Sequence, residues 1–165
     1  MKKSFLFAIA AILISATQLK AQDYKTALGL RLSSRGPAVN NSLTFKTFVN
    51  PKLAIEGLFT FDNKTAIGAL FEIHNDIPST DGLKWFYGAG AYLGFDSDKT
   101  HTDRALMGGQ GVVGLDYKFA NLPLNISLDW KPELNIIDNI NFEPAAVGFS
   151  IRFTLGKSQV QTASE

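Results

Sequence analysis

Leu83-Lys84-Trp85-Phe86-Tyr87-Gly88-Ala89-Gly90-Ala91-Tyr92-Leu93-Gly94-Phe95-Asp96 reads as a strand whose two faces meet different surroundings. Successive side chains of a strand point to opposite faces, so residues two apart share a face. Leu83, Trp85, Tyr87, Ala89, Ala91, Leu93 and Phe95 make one face apolar, while Lys84, Phe86, Gly88, Gly90, Tyr92, Gly94 and Asp96 make the other a mixture of glycine, charge and bulk. A strand face turned to water is normally Lys, Glu, Thr or Gln, because glycine weakens a strand without solvating it. Glycine beside charge suits a crowded polar interior, and the apolar face is then the outside.

The same alternation recurs over residues 24–34, 42–49, 53–62, 65–74, 83–96, 108–119, 122–133 and 145–155, eight segments in all. Gly29, Gly68, Gly114 and Gly148 fall on the polar parity, and Phe48, Leu58, Leu70 and Phe86 interrupt it as expected interior packing. Lys25, Arg31, Lys46, Lys84, Lys118, Lys131 and Arg152 share that parity with Glu56, Asp62, Glu72, Asp96, Asp116, Asp129 and Glu133, seven of each sign. Buried charges must cancel, and an eight-stranded barrel is just wide enough for its own side chains to fill it. The expected fold is therefore all-β, an eight-stranded antiparallel up-and-down transmembrane β-barrel. Arg31, Lys46, Glu56, Glu72, Asp116, Asp129 and Arg152 form its expected lumen charge network, with Arg31 and Arg152 sharing an acidic partner. A charge placed at Ser127, inside, is expected to be milder than one at Leu28 or Ile126, outside.

The chain opens Met1-Lys2-Lys3-Ser4, continues through an uncharged apolar run over 5–16, and reaches Thr17-Gln18-Leu19-Lys20-Ala21. A basic start followed by an apolar core too short to span a bilayer is the layout of a secretory signal. Residues 1–21 are assigned to it, 22–156 to the barrel and 157–165 to a flexible tail. Removing Lys2, Lys3 and Lys20 takes 16 cationic residues to 13 against 15 acidic ones, a mature charge near −2. That balance, with no aromatic-basic interleaving, argues against nucleic acid. The chain has no cysteine, so neither disulfides nor a cysteine-linked lipid is available.

With the amino terminus on the periplasmic side, the outer connections are 35–41, 63–64, 97–107 and 134–144, two of them long; of the periplasmic connections 50–52, 74–82 and 120–121 two are tight, an asymmetry typical of membrane barrels. Aromatics gather near both ends of the apolar parity, with Tyr24, Trp85, Tyr117, Phe119 and Phe153 at one end and Phe61, Phe95 and Trp130 at the other. They read as two interfacial girdles.

On these patterns, and on Gly114-Leu115-Asp116-Tyr117-Lys118-Phe119, Asn125-Ile126-Ser127-Leu128-Asp129-Trp130-Lys131-Pro132 and the last segment, the chain resembles the small outer-membrane β-barrel family, OmpA- and OmpX-like, in the form common in Bacteroidota. The resemblance implies an integral place in the outer membrane, contact with its lipid and lipopolysaccharide, and handling by the barrel-assembly machinery. Gly148, Ile151 and Phe153 match the family's assembly signal, although Ala146 stands where a polar residue is usual and a tail follows.

Chemistry is sparse. His74 sits on the inner parity beside Glu72, and His101 lies in Asp96-Ser97-Asp98-Lys99-Thr100-His101-Thr102-Asp103, which lacks the spacing and central glycine of a Ca²⁺ loop. Lipid A deacylases of this family need an adjacent His and Ser on an outward face; His74 is followed by Asn75 and His101 by Thr102. Gly108-Gly109-Gln110-Gly111 precedes a strand rather than a helix and cradles no phosphate. The expectation is a non-enzymatic barrel without metal or cofactor, structural or surface-interactive in role, its extracellular partner unspecified. A lipid-modifying enzyme, a soluble ligand-binding barrel and a narrow pore are the alternatives.

Overall fold

The computed structural model describes residues 24–34, 39–61, 64–97, 103–137 and 140–157; the signal assignment over 1–21, all of the tail beyond residue 157, and His101 lie outside them. Ten strands occur: β1 (Tyr24–Ser33), β2 (Ser42–Phe48), β3 (Leu53–Phe61), β4 (Lys64–Asp76), β5 (Leu83–Ser97), β6 (Asp103–Lys118), β7 (Leu124–Trp130), β8 (Glu133–Asn135), β9 (Asn141–Glu143) and β10 (Val147–Lys157). Each pairs antiparallel with its chain neighbour from β1 to β7, β10 joins β7 to β1, and the ring closes. β8 continues the β7 wall along β6, and β9 folds back on β8, so the barrel has eight staves.

The wall is longer than the alternation alone suggests. Residues 103–107, expected in an outer loop, belong to β6 and pair with β5 through Ser97↔Asp103 and Leu93↔Met107. Apolar residues occupy both parities there, Leu106 inside and Ala105 and Met107 outside, which hides the period. Of residues 134–144, also expected as loop, 134–135 belong to β8 and 141–143 to β9, and the two strands pair antiparallel. Pro132 cannot donate to the ladder, yet Gly111 N donates to Pro132 O at 2.9 Å and Lys131 N to Ala146 O at 2.8 Å, so pairing bridges the irregularity. At the opposite end the 77–82 turn closes on Gly82, whose φ of 80° is left-handed and whose carbonyl accepts Lys118 N–H at 2.8 Å.

The two faces divide as the parity requires. Leu28, Leu30 and Leu32 on β1, and Phe149, Ile151 and Phe153 on β10, are about half exposed, while Arg31, Ser150 and Arg152 between them are buried. A single-layer wall with apolar residues outside and charge inside inverts the usual soluble arrangement.

Two kinds of glycine follow. A β-carbon at Gly90 would overlap the Ala69 carbonyl, and one at Gly148 would overlap the Arg31 guanidinium. On the outer face, by contrast, a β-carbon at Gly109 would approach nothing nearer than Gly90 O at 3.9 Å. Gly90→Ala should cost about 1–3 kcal/mol by overpacking, whereas Gly109→Ala should leave stability unchanged. Urea titration of the barrel in micelles, followed by the shift between unheated and heated gel mobility, checks both.

Candidate functional site: the lumen charge network

The alternation sends one side chain in two into the lumen, and the charged ones meet there. Arg152 of β10 is the hub. Its Nε donates to Thr44 Oγ1 at 3.1 Å, Nη1 to Ser127 Oγ at 2.8 Å and to Asn125 Oδ1 at 3.2 Å, and Nη2 to Glu56 Oε1 at 2.5 Å. Asn125 Nδ2 in turn donates to Asp116 Oδ1 at 2.6 Å, and the Tyr24 hydroxyl donates to Asp116 Oδ2 at 3.5 Å. Lys46 Nζ sits among three carboxylates, 2.7 Å from Glu72, 3.3 Å from Glu56 and 3.7 Å from Asp116. All three are ion pairs, and the ammonium and the three carboxylates are buried together. His74 Nε2 lies 3.0 Å from Glu72 Oε2.

Beneath this layer an aromatic floor crosses the bore. Tyr24 meets Phe48 edge-on at 5.1 Å, Phe48 meets His74 at 4.9 Å, and His74 stacks on Phe86 at 4.9 Å. The Lys46 ammonium lies 4.6 Å from the Phe86 ring centre, so cation and floor are one packed unit.

A second charged pair lies beside the hub. Arg31 grips Asp129 with both terminal nitrogens, Nη2 to Oδ1 at 2.6 Å, the bidentate geometry that suits guanidinium to carboxylate. Gly148, beside Asp129 on β10, leaves the room that fork needs. Further on, Lys131 contacts Glu133 and lies 3.4 Å from both Gln110 Oε1 and Val39 O. Val39, reaching in from the β1–β2 connection, is fully buried in a cluster with Leu58, Ala66, Leu70 and Leu106.

All seven expected network residues, Arg31, Lys46, Glu56, Glu72, Asp116, Asp129 and Arg152, therefore lie buried in the lumen. Among the described residues the buried charges are Arg31, Lys46, Lys84, Lys131 and Arg152 against Glu56, Glu72, Asp116, Asp129 and Glu133, which cancel. Arg31 and Arg152 do not share a carboxylate. They sit on offset register rungs, Arg31 opposite Ser150 and Arg152 opposite Gly29, so each reaches its own acid.

Tyr24 is the other correction. It is 4% exposed and inside, not in a girdle, because the inner face takes both Tyr24 and Ala27 and the parity slips between them. The ring completes the floor and the hydroxyl reaches Asp116. Trp85, Tyr117, Phe119 and Phe153 lie on the outer face toward the end where β1 starts, and Phe95 and Trp130 toward the other; the Phe61 side chain lies outside those described. Val39 had no sequence signal, since a lone valine between loop residues has no period.

The wall geometry has a counterpart among solved structures. The N-terminal β-barrel domain of Pseudomonas aeruginosa OprF superposes with a TM-score of 0.58 at 12% identity, over 84% of this chain and 100% of that one. The fold is an outer-membrane-type barrel. At that identity the likeness is one of fold alone. No protein-family model matches the chain, and no curated protein does.

Glu56→Gln should destabilise by about 3–5 kcal/mol, because Arg152 and Lys46 stay buried with a charge removed. Arg152→Met combined with Glu56→Gln should recover part of that loss, measured by urea unfolding in micelles as a double-mutant cycle. Ser127→Arg, expected above to be milder than Leu28→Arg or Ile126→Arg, should instead prevent folding, since Ser127 is 2% exposed with Arg152 against its hydroxyl.

Proposed function

We propose that the chain is exported and works as an integral outer-membrane barrel, non-enzymatic and closed to solute, bracing the envelope or presenting its outer connections to a partner. The observation that carries this reading is the filled lumen, from the Tyr24–Phe48–His74–Phe86 floor, through the Arg152 and Arg31 networks, to the Val39 cluster. A pore needs a continuous polar bore, and a soluble binder needs an apolar internal cavity; a neutralised, side-chain-filled interior supports neither. The half-exposed leucines, isoleucines and phenylalanines of the outer face support a hydrocarbon surround.

A catalytic reading has little support: His74 is buried against Glu72 and the aromatic floor, turned away from any lipid substrate. Gly148, Ile151 and Phe153 remain the proposed assembly signal, with Ile151 and Phe153 outward-facing and Gly148 making room for Arg31.

The mature protein is expected to fractionate with outer membranes, to resist alkaline extraction, and to give no sustained conductance in planar bilayers. Recovery in the soluble periplasm overturns the location, and steady conductance overturns the closed lumen. Leu28→Arg should lower insertion by about 2–4 kcal/mol, the cost of a charge at the bilayer midplane, read as the folded fraction after transfer into lipid vesicles.

A further inference from the structure

The outer wall is not uniform, and its irregularity is concave. Between β4, β5, β6 and the β8–β9 turn lies a groove of about 420 Å³, lined by Phe59, Ile67, Leu93, Phe95, Met107 and Ile137. Its lining includes Thr65 and Ala105, which flank Phe95 in register, and the inward-facing wall positions Ala66, Gly94 and Leu106. Ile137, just beyond β8, completes the lining.

One register rung along, the face is smooth. Gly57 pairs with Ala69, Ala69 with Ala91 and Ala91 with Gly109, a row of small side chains crossing four strands on the outside. The barrel itself does not require them to be small. A β-carbon at Gly57 would lie 3.9 Å from Phe45 O, and one at Gly109 would lie 3.9 Å from Gly90 O, ordinary contacts. Inner-face Gly88, Gly90 and Gly108 are different, since a β-carbon there would overlap a neighbouring strand.

We propose that this groove, with the small-residue row as its extension, holds one acyl chain of the outer-leaflet glycolipid, lipid A. The inference rests on the proposed outer-membrane location. That location, taken with an amino terminus on the periplasmic side, puts the β3–β4 and β5–β6 ends, and so the groove beside them, in the outer leaflet. The lining offers almost no polar atoms, so a polar ligand has nothing to bond. The groove opens sideways from the same apolar face that meets hydrocarbon, which makes its occupant continuous with the membrane. A second barrel fits poorly, because two convex cylinders meet along a line and leave a concavity unfilled. A flexible chain one methylene wide follows the concavity and then the smooth row. Because lipid tails are as apolar as the wall, close packing rather than water exclusion selects the site.

The test uses the mature barrel refolded in mild detergent, incubated with lipid A or with phosphatidylethanolamine, and examined by native mass spectrometry. Wild type should retain one lipid A. Ala105→Trp, which fills the groove, and Gly109→Leu, which fills the row, should each lower retention roughly tenfold or more. Leu30→Trp on the far wall should retain it as wild type does. Unheated gel mobility verifies that each variant is a closed barrel. Equal retention by all four barrels overturns the groove, as does preference for phosphatidylethanolamine, or a barrel dimer that Ala105→Trp dissociates. A wild-type barrel with a normal mobility shift that fails to fractionate with membranes overturns the location, and the lipid assignment with it; normal fractionation with equal lipid retention overturns the groove alone.

Discussion

The guanidinium of Arg152 is the constraint on which the barrel turns. Through Thr44, Glu56, Asn125 and Ser127 it joins β10 to β2, β3 and β7, and through Asn125 to Asp116 it reaches β6. Lys46, Glu72 and His74 bring in β4, and Tyr24 brings in β1. A buried ion pair is not by itself a strong source of stability, since desolvation offsets attraction. What it supplies here is register. A slip of one residue between paired strands exchanges the two faces of a strand. On β10 that would send Arg152 into the surround and Ile151 or Phe153 into the lumen. The network thus makes wrong pairings expensive where the apolar face, rich in Leu, Ile, Val and Phe, would distinguish them less.

Filling an eight-stave lumen is a volume problem as well as a charge problem. Arginine and tyrosine reach across the bore from one wall, and something small must stand opposite. Gly148 stands opposite Arg31 in this sense, and at Gly108 a β-carbon would overlap the Tyr92 ring. Large and small side chains interdigitate here as they do in an ordinary core, with hydrogen bonds replacing part of the dispersion contact. The floor shows the same economy, with His74 serving as an aromatic plate between Phe48 and Phe86 while its Nε2 keeps Glu72 company.

Closed antiparallel pairing, the inward parity of the seven network residues and the outward apolar belt were all legible in the sequence, because a period of two is imposed on every strand that separates two environments. Legibility failed where that separation weakens. Tyr24 lies at the first residue of β1, where the outer face is no longer purely apolar and an amphipathic ring is at home on either side. Residues 103–107 and 134–143 carry apolar groups on both parities, so alternation is masked although the ladder continues. Val39 is invisible for a different reason: its burial depends on a cavity bounded by Gly68, Leu58 and Lys131, residues brought together only by closure. The separate partners of Arg31 and Arg152 likewise follow from rung offset, which composition does not encode.

The glycines carry this argument one step further. On the inner parity they are legible twice over, by position and by the clash that any β-carbon would cause against a neighbouring strand or the Arg31 guanidinium. Gly57 and Gly109 satisfy the parity rule in the wrong sense: they face outward, where strand propensity and lipid contact both favour a branched side chain, and a β-carbon at either would meet no clash. Nothing inside the barrel accounts for them. The outer wall of this barrel is therefore as much a designed surface as its lumen, smooth across Gly57, Ala69, Ala91 and Gly109 and hollowed beside Ile137.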